Sequence, residues 1–135
     1  MARVRTGLEN LLDNWSRLLR GQRVGLLAHQ ASVDNQLRHA IDLVGSLRGV
    51  RLFALFAPEH GVWGAAQDHA RIQNSRDPRT GLRVWSLYGR RREPSQASLS
   101  GLDALVVDLQ DVGARYYTFV WTMALALGAC GRAGQ

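Results

Sequence analysis

The chain of 135 residues is about one domain, long enough to bury a core and too short to split in two. Hydrophobic residues make up 46% and charged residues 21%, a balance that excludes a disordered chain. The formal charge of +6 comes wholly from arginine, and the arginines are scattered apart from Arg90, Arg91 and Arg92, so net charge alone supports nucleic-acid binding and no such partner is expected.

Helical spacing of Leu8, Leu11, Leu12, Trp15, Leu18 and Leu19 predicts a first helix that stops at Gly21. This N-terminal stretch lacks the apolar core of a secretory signal, so the chain reads as cytoplasmic or as already processed. The short apolar run "RVGLLA" predicts a buried strand. Leu37, Ala40, Ile41, Val44 and Leu47 return to helical spacing, and "VRLFALFA" predicts the second strand. A long polar loop leads to a third strand in "LRVWSLY", and "LDALVVDLQD" is the fourth. The closing "VGARYYTFVWTMALALGAC" predicts a helix too apolar to lie freely on a surface, yet shorter than the ~20 residues that span a bilayer, so no membrane partner is expected. Strands apolar on both faces and separated mostly by helices imply an α/β, Rossmann-like sandwich: a mainly parallel sheet of at least four strands covered on both sides.

In such sheets the ligand site lies beyond the carboxyl ends of the strands. His29 and Gln30 follow the first strand, Glu59 the second, and Asp108, Gln110 and Asp111 the fourth. Pro58 ends its strand, and Gly61 and Gly64 allow tight turns. Glu59 beside Phe56 and Trp63 would have its pKa raised by desolvation, as a general acid near neutral pH requires; capping a helix or pairing with an arginine is the structural alternative. Asp111 is placed to cap the last helix, with Arg115 within i,i+4 reach. An arginine at a helix start also suits a carboxylate or phosphate, and Tyr116 and Tyr117 add aromatic surface for a sugar or base.

His29, His60 and His69 invite a metal near Asp108, but their spacing fits no ligand motif, so no metal is expected. Cys130 is the sole cysteine, which removes internal disulfides and thiolate clusters. No nucleophile elbow, phosphate loop or dinucleotide fingerprint is present, and no cofactor is expected.

"FAPEHGVWG", "TGLRVWSLYG" with the following "PS", and "LDALVVDLQDVGARYYTFVWTM", in this order, resemble the exo-β-N-acetylmuramidases of the NamZ type, formerly a domain family of unknown function. "VGLLAHQASVD" is similar to that family's first strand and loop, although the commoner form has Asn at the position of His29. The resemblance implies an exo-acting glycoside hydrolase that releases N-acetylmuramic acid from non-reducing ends of peptidoglycan fragments. It implies that residues 1–135 are the Rossmann-like N-terminal domain, with a C-terminal domain, absent here, completing the cleft. Glu59 falls on the catalytic acid, with Asp108 or Asp111 as a second carboxylate, and His29, His60, Gln110, Arg115 and Tyr117 are expected to bind substrate. A non-catalytic module for a sugar or anion, or an inactive truncated homologue, is the alternative.

Overall fold

The computed structural model describes residues 4–67, 70 and 72–134. A five-stranded sheet runs in the order β3-β4-β2-β1-β5. Its strands are β1 (Arg23–Ala28), β2 (Arg51–Ala57), β3 (Ser75–Arg76), β4 (Arg83–Ser86) and β5 (Ala104–Asp108). β4, β2, β1 and β5 are mutually parallel, and the two-residue β3 pairs antiparallel with β4. The four apolar runs are thus the four parallel strands, and β3 arises within the segment expected to be loop.

Successive side chains along a strand point to opposite faces, so each central strand feeds two cores. Leu26 and Leu55 pack on one face with Ile41 and Val44 of α2 (Ala40–Gly45) and with Leu8 of α1 (Gly7–Asn10). Leu27 and Phe56 pack on the other with Leu99 of α3 (Gln96–Leu99) and with Ala126, Ala129 and Cys130 of α4 (Phe119–Ala133). Gly25 is required by close approach. A Cβ there would lie 2.8 Å from Leu102 Cδ1 and 2.9 Å from Phe56 Cε2. At the opposite end of the sheet from the loops of interest, the Asp103 carboxylate takes both the backbone N–H and the guanidinium of Arg23, which ties β5 to β1.

Three helices differ from the periodicity. The first is α-helical only over Gly7–Asn10, continues as a π-turn over Leu11–Trp15 and ends as a 3₁₀ turn over Ser16–Leu19. Its changing pitch rotates Trp15 and Leu18 off the core side, and both are exposed. The second begins at Ala40, not Leu37. Asp34 Oδ1 accepts the N–H groups of Gln36 and Arg38, so the chain turns there instead of coiling; Leu37 sits at φ 60 and is 81% exposed. The His39 imidazole then caps α2 by accepting the N–H of Ile41.

The last helix begins at Phe119, and Asp111 does not cap it. Asp111 Oδ1 accepts from the N–H of Gly113, and Gly113 (φ 74) turns the chain before a helix can start. Arg115 therefore lies in a loop and makes no ion pair with Asp111 among the described residues.

Connections from β1 to β2 and on to β4 step one way across the sheet, whereas the passage through α3 to β5 returns past β1. The order reverses beside β1, which is where open α/β sheets form a crevice at their carboxyl ends.

Candidate active site

Three strand ends meet at this crevice. Leu27 of β1 is level with Phe56 of β2 on one side and Val107 of β5 on the other. His29, Glu59 and Asp108 consequently stand around the end of β1.

Glu59 occupies a tight turn in which Gly61 N–H donates to Pro58 C=O. Its third residue, His60, has φ 69, a left-handed conformation that a non-glycine residue adopts at a cost. The His60 ring is bonded through Nδ1 to Ala66 C=O, while Ala66 N–H donates to His60 C=O, so the loop closes on itself. Gly61 and Gly64 both have positive φ, as the turn chemistry of this segment requires. Glu59 is 9% exposed, and the Thr118 hydroxyl donates to its Oε2 at 2.8 Å. The chain after β5 thus crosses the crevice to reach the end of β2.

Trp63 anchors the same loop. Its Nε1–H donates to Asp77 Oδ1 at 2.8 Å, its ring lies 4.7 Å from His39, and the Arg79 guanidinium sits 5.0 Å from the ring centre. Burial opposes ionisation of Asp77, yet bonds from Thr80 and Trp63 hold its carboxyl below the usual range. Asp77→Ala is expected to destabilise the fold by about 1–3 kcal/mol, because it removes the acceptor of Trp63 Nε1–H and of the Thr80 N–H and hydroxyl. Urea unfolding beside an Asp77→Asn control, which keeps an acceptor for Trp63, checks this.

His29 is 2% exposed. Its ring stacks on Phe119 at 4.7 Å, and Tyr117 meets Phe119 edge-on at 5.7 Å. The ring nitrogens face two backbone donors, Ala31 N–H on Nδ1 at 3.1 Å and Gln110 N–H on Nε2 at 2.7 Å. A neutral imidazole has a single acceptor nitrogen, so the shorter contact takes it. Burial, then the neighbouring His39, depresses the His29 pKa. The ring is a neutral strut that joins β1 to the loop after β5. Ser32 reinforces the joint: its hydroxyl accepts from His29 N–H and donates to Asp108 C=O.

Asp108 ends β5 with one oxygen poorly satisfied and one not at all. Gln110 Nε2–H reaches Oδ1 at 3.5 Å, and Oδ2 is buried without a hydrogen-bond partner among the described residues. Burial raises the pKa of this carboxyl, against the opposing pull of His39. A carboxyl whose folded pKa is raised weakens the fold as pH climbs from the ordinary carboxylate range, about 4, through the raised value. Asp108→Asn is therefore expected to melt higher than the parent near pH 7, with the gap closing as pH falls below about 4. Thermal unfolding at both pH values tests the sign.

His29, Glu59, Asp108, Gln110 and Tyr117 are thus linked by direct contacts or through Thr118 and Phe119. Asp111 and Arg115 stand to one side, lining a pocket of about 410 Å³ that shares Phe119 with the crevice. Of the histidines considered for a metal, His29 and His60 are bonded to backbone groups, and His69 lies outside the described residues. Thr118 and Phe119 were not among the sequence candidates; their place directly after the Asp-x-Gln-Asp-x-Gly-x-Arg-x-Tyr run was the available signal.

The family model described as "Exo-beta-N-acetylmuramidase NamZ, N-terminal" matches residues 24–135. The chain belongs to this NamZ family. It is 40% identical over 127 residues to the peptidoglycan beta-N-acetylmuramidase NamZ of Bacillus subtilis (strain 168), covering 94% of this chain and 31% of that protein. Two crystal structures of DUF1343 family proteins from Bacteroides fragilis NCTC 9343 share the fold. One superposes with a TM-score of 0.86 at 40% identity, the other with 0.77 at 28%, each over 99% of this chain. The chain spans about a third of the length of each of these relatives. The α/β sheet with flanking helices is the fold they have in common.

Proposed function

We propose that this chain is the Rossmann-like N-terminal domain of an exo-acting glycoside hydrolase. The enzyme releases N-acetylmuramic acid from non-reducing ends of peptidoglycan fragments. The observation that carries the reading is Glu59, a nearly buried carboxyl on a strained turn at the sheet's reversal point, oriented by Thr118. The named activity of the Bacillus relative supports the sugar.

In this reading Glu59 is the general acid, giving its proton to the glycosidic oxygen as the bond to the anomeric carbon breaks. Asp108 is the second carboxyl. β2 and β5 flank β1, so their ends are two strand steps apart, on the order of 10 Å. Strand ends that far apart leave room for a water between the two carboxyls. Asp108 would take a proton from this water as its oxygen bonds to the anomeric carbon. His29 and His60 hold the two loops in place, while Gln110, Arg115 and Tyr117 face the sugar from the third.

The opposing wall of the cleft belongs to a C-terminal domain. Two features support this: the relatives are about three times as long, and α4 exposes Val120, Trp121 and Leu127. The test is release of chromophore from a para-nitrophenyl glycoside of N-acetylmuramic acid. Release by the chain, alone or joined to a relative's C-terminal part, supports the hydrolase; saturable binding with no release in either form overturns it in favour of a non-catalytic module.

A further inference from the structure

We propose that Arg115 and the pocket around it read the carboxylate that distinguishes muramic acid from other amino sugars; this rests on the muramidase reading above. The pocket is walled by Leu109, Phe119, Val120 and Met123, with Asp111 and Arg115 as its charged groups. The two charges are not equivalent. Asp111 Oδ1 is committed to the N–H of Gly113. Arg115 has neither ion pair nor hydrogen bond among the described residues, whereas Arg38 and Arg79, near the other side of the crevice, are held by Asp34 and Asp42. An exposed guanidinium with no internal partner retains its planar fork of donors for a carboxylate, in bidentate geometry.

N-acetylmuramic acid differs from N-acetylglucosamine by a lactyl ether on O3, which adds one methyl and one carboxylate. The pocket offers both complements: apolar side chains for the methyl and one guanidinium for the charge. Its position fits a sugar cleaved at Glu59. Phe119 forms a wall of the pocket while its ring stacks on His29, and the preceding residue, Thr118, donates to Glu59. A ring placed with its anomeric carbon at Glu59 can therefore present a substituent to the pocket across the Phe119 edge. Asp111 works against the bound carboxylate, which makes it a second handle on the same interaction.

The experiment is an NMR titration of the 135-residue chain with N-acetylmuramic acid, its methyl ester and N-acetylglucosamine. Arg115 is exposed, so its replacement should leave the fold intact. The parent is expected to bind the acid about tenfold or more tighter than the ester, the usual effect of a charge-assisted bond. Arg115→Met should bring that ratio near one by weakening the acid far more than the ester, and Asp111→Asn, which keeps the acceptor for Gly113, should widen it. A ratio that survives in Arg115→Met overturns the assignment to Arg115 and leaves muramic acid binding standing. A parent that binds neither the acid nor the ester, whether alone or joined to a relative's C-terminal part, overturns both.

Discussion

Glu59→Gln is expected to lower hydrolysis of a disaccharide with N-acetylmuramic acid at its non-reducing end, whose sugar alcohol leaving group needs a proton, by roughly 10²–10⁴-fold, the contribution of a positioned general acid. The exchange is close to isosteric. Its amide oxygen still accepts the Thr118 hydroxyl that now meets Oε2 at 2.8 Å, so the link between the β2 turn and the start of α4 persists. The transferable proton and the charge are gone. The measurement therefore pairs rate with stability: a large fall in rate and an unchanged unfolding midpoint identify a proton donor. A variant that unfolds, or one that keeps its rate, would show that Glu59 is a structural link between two loops. Either structural result would move the acid role to Asp108, the other carboxyl at the crevice and the one whose pKa burial raises.

Phe56→Ala is expected to destabilise the fold by about 3–5 kcal/mol, a large part of the roughly 5–15 kcal/mol typical of a native domain. Phe56 is fully buried in the same core as Leu27, Leu87, Leu99 and Leu102, three residues before the catalytic candidate. Its ring also fills the space over Gly25, where a Cβ would come within 2.9 Å of Cε2. The pair should be coupled. Gly25→Ala alone overpacks the core at a cost of about 1–3 kcal/mol, and less in the Phe56→Ala background, where the new methyl enters the vacated space. Urea unfolding of the two single variants and the double variant measures this; additive losses would mean that the ring and the glycine do not compete for one volume. Because β2 carries both Phe56 and the turn of Glu59, the same cavity should loosen the crevice before the whole chain unfolds.

Much of the crevice was legible from strand ends alone. "RVGLLA", "VRLFALFA" and "LDALVVDLQD" are apolar on both faces because each strand feeds both cores, and this marks a covered parallel sheet without reference to any partner. A polar residue directly after such a run must sit at the sheet's carboxyl edge. That reasoning places His29, Glu59 and Asp108 on three strand ends, which the order β2-β1-β5 makes neighbours.

The sequence by itself therefore determined the α/β class, the four parallel strands and the residues that rim the crevice, because these follow from side-chain periodicity and from the abrupt end of each apolar run. Tertiary structure alone decided where the helices begin and which side chains meet. Asp34 and Asp111 each divert backbone N–H groups that a helix needs, a local competition that hydrophobic spacing does not register. The contacts of Thr118 with Glu59, Phe119 with His29 and Gln110 with His29 join residues 59, 90 and 81 positions apart. Such pairs exist only once the loop after β5 has folded back across β1, so no local pattern along the chain can announce them.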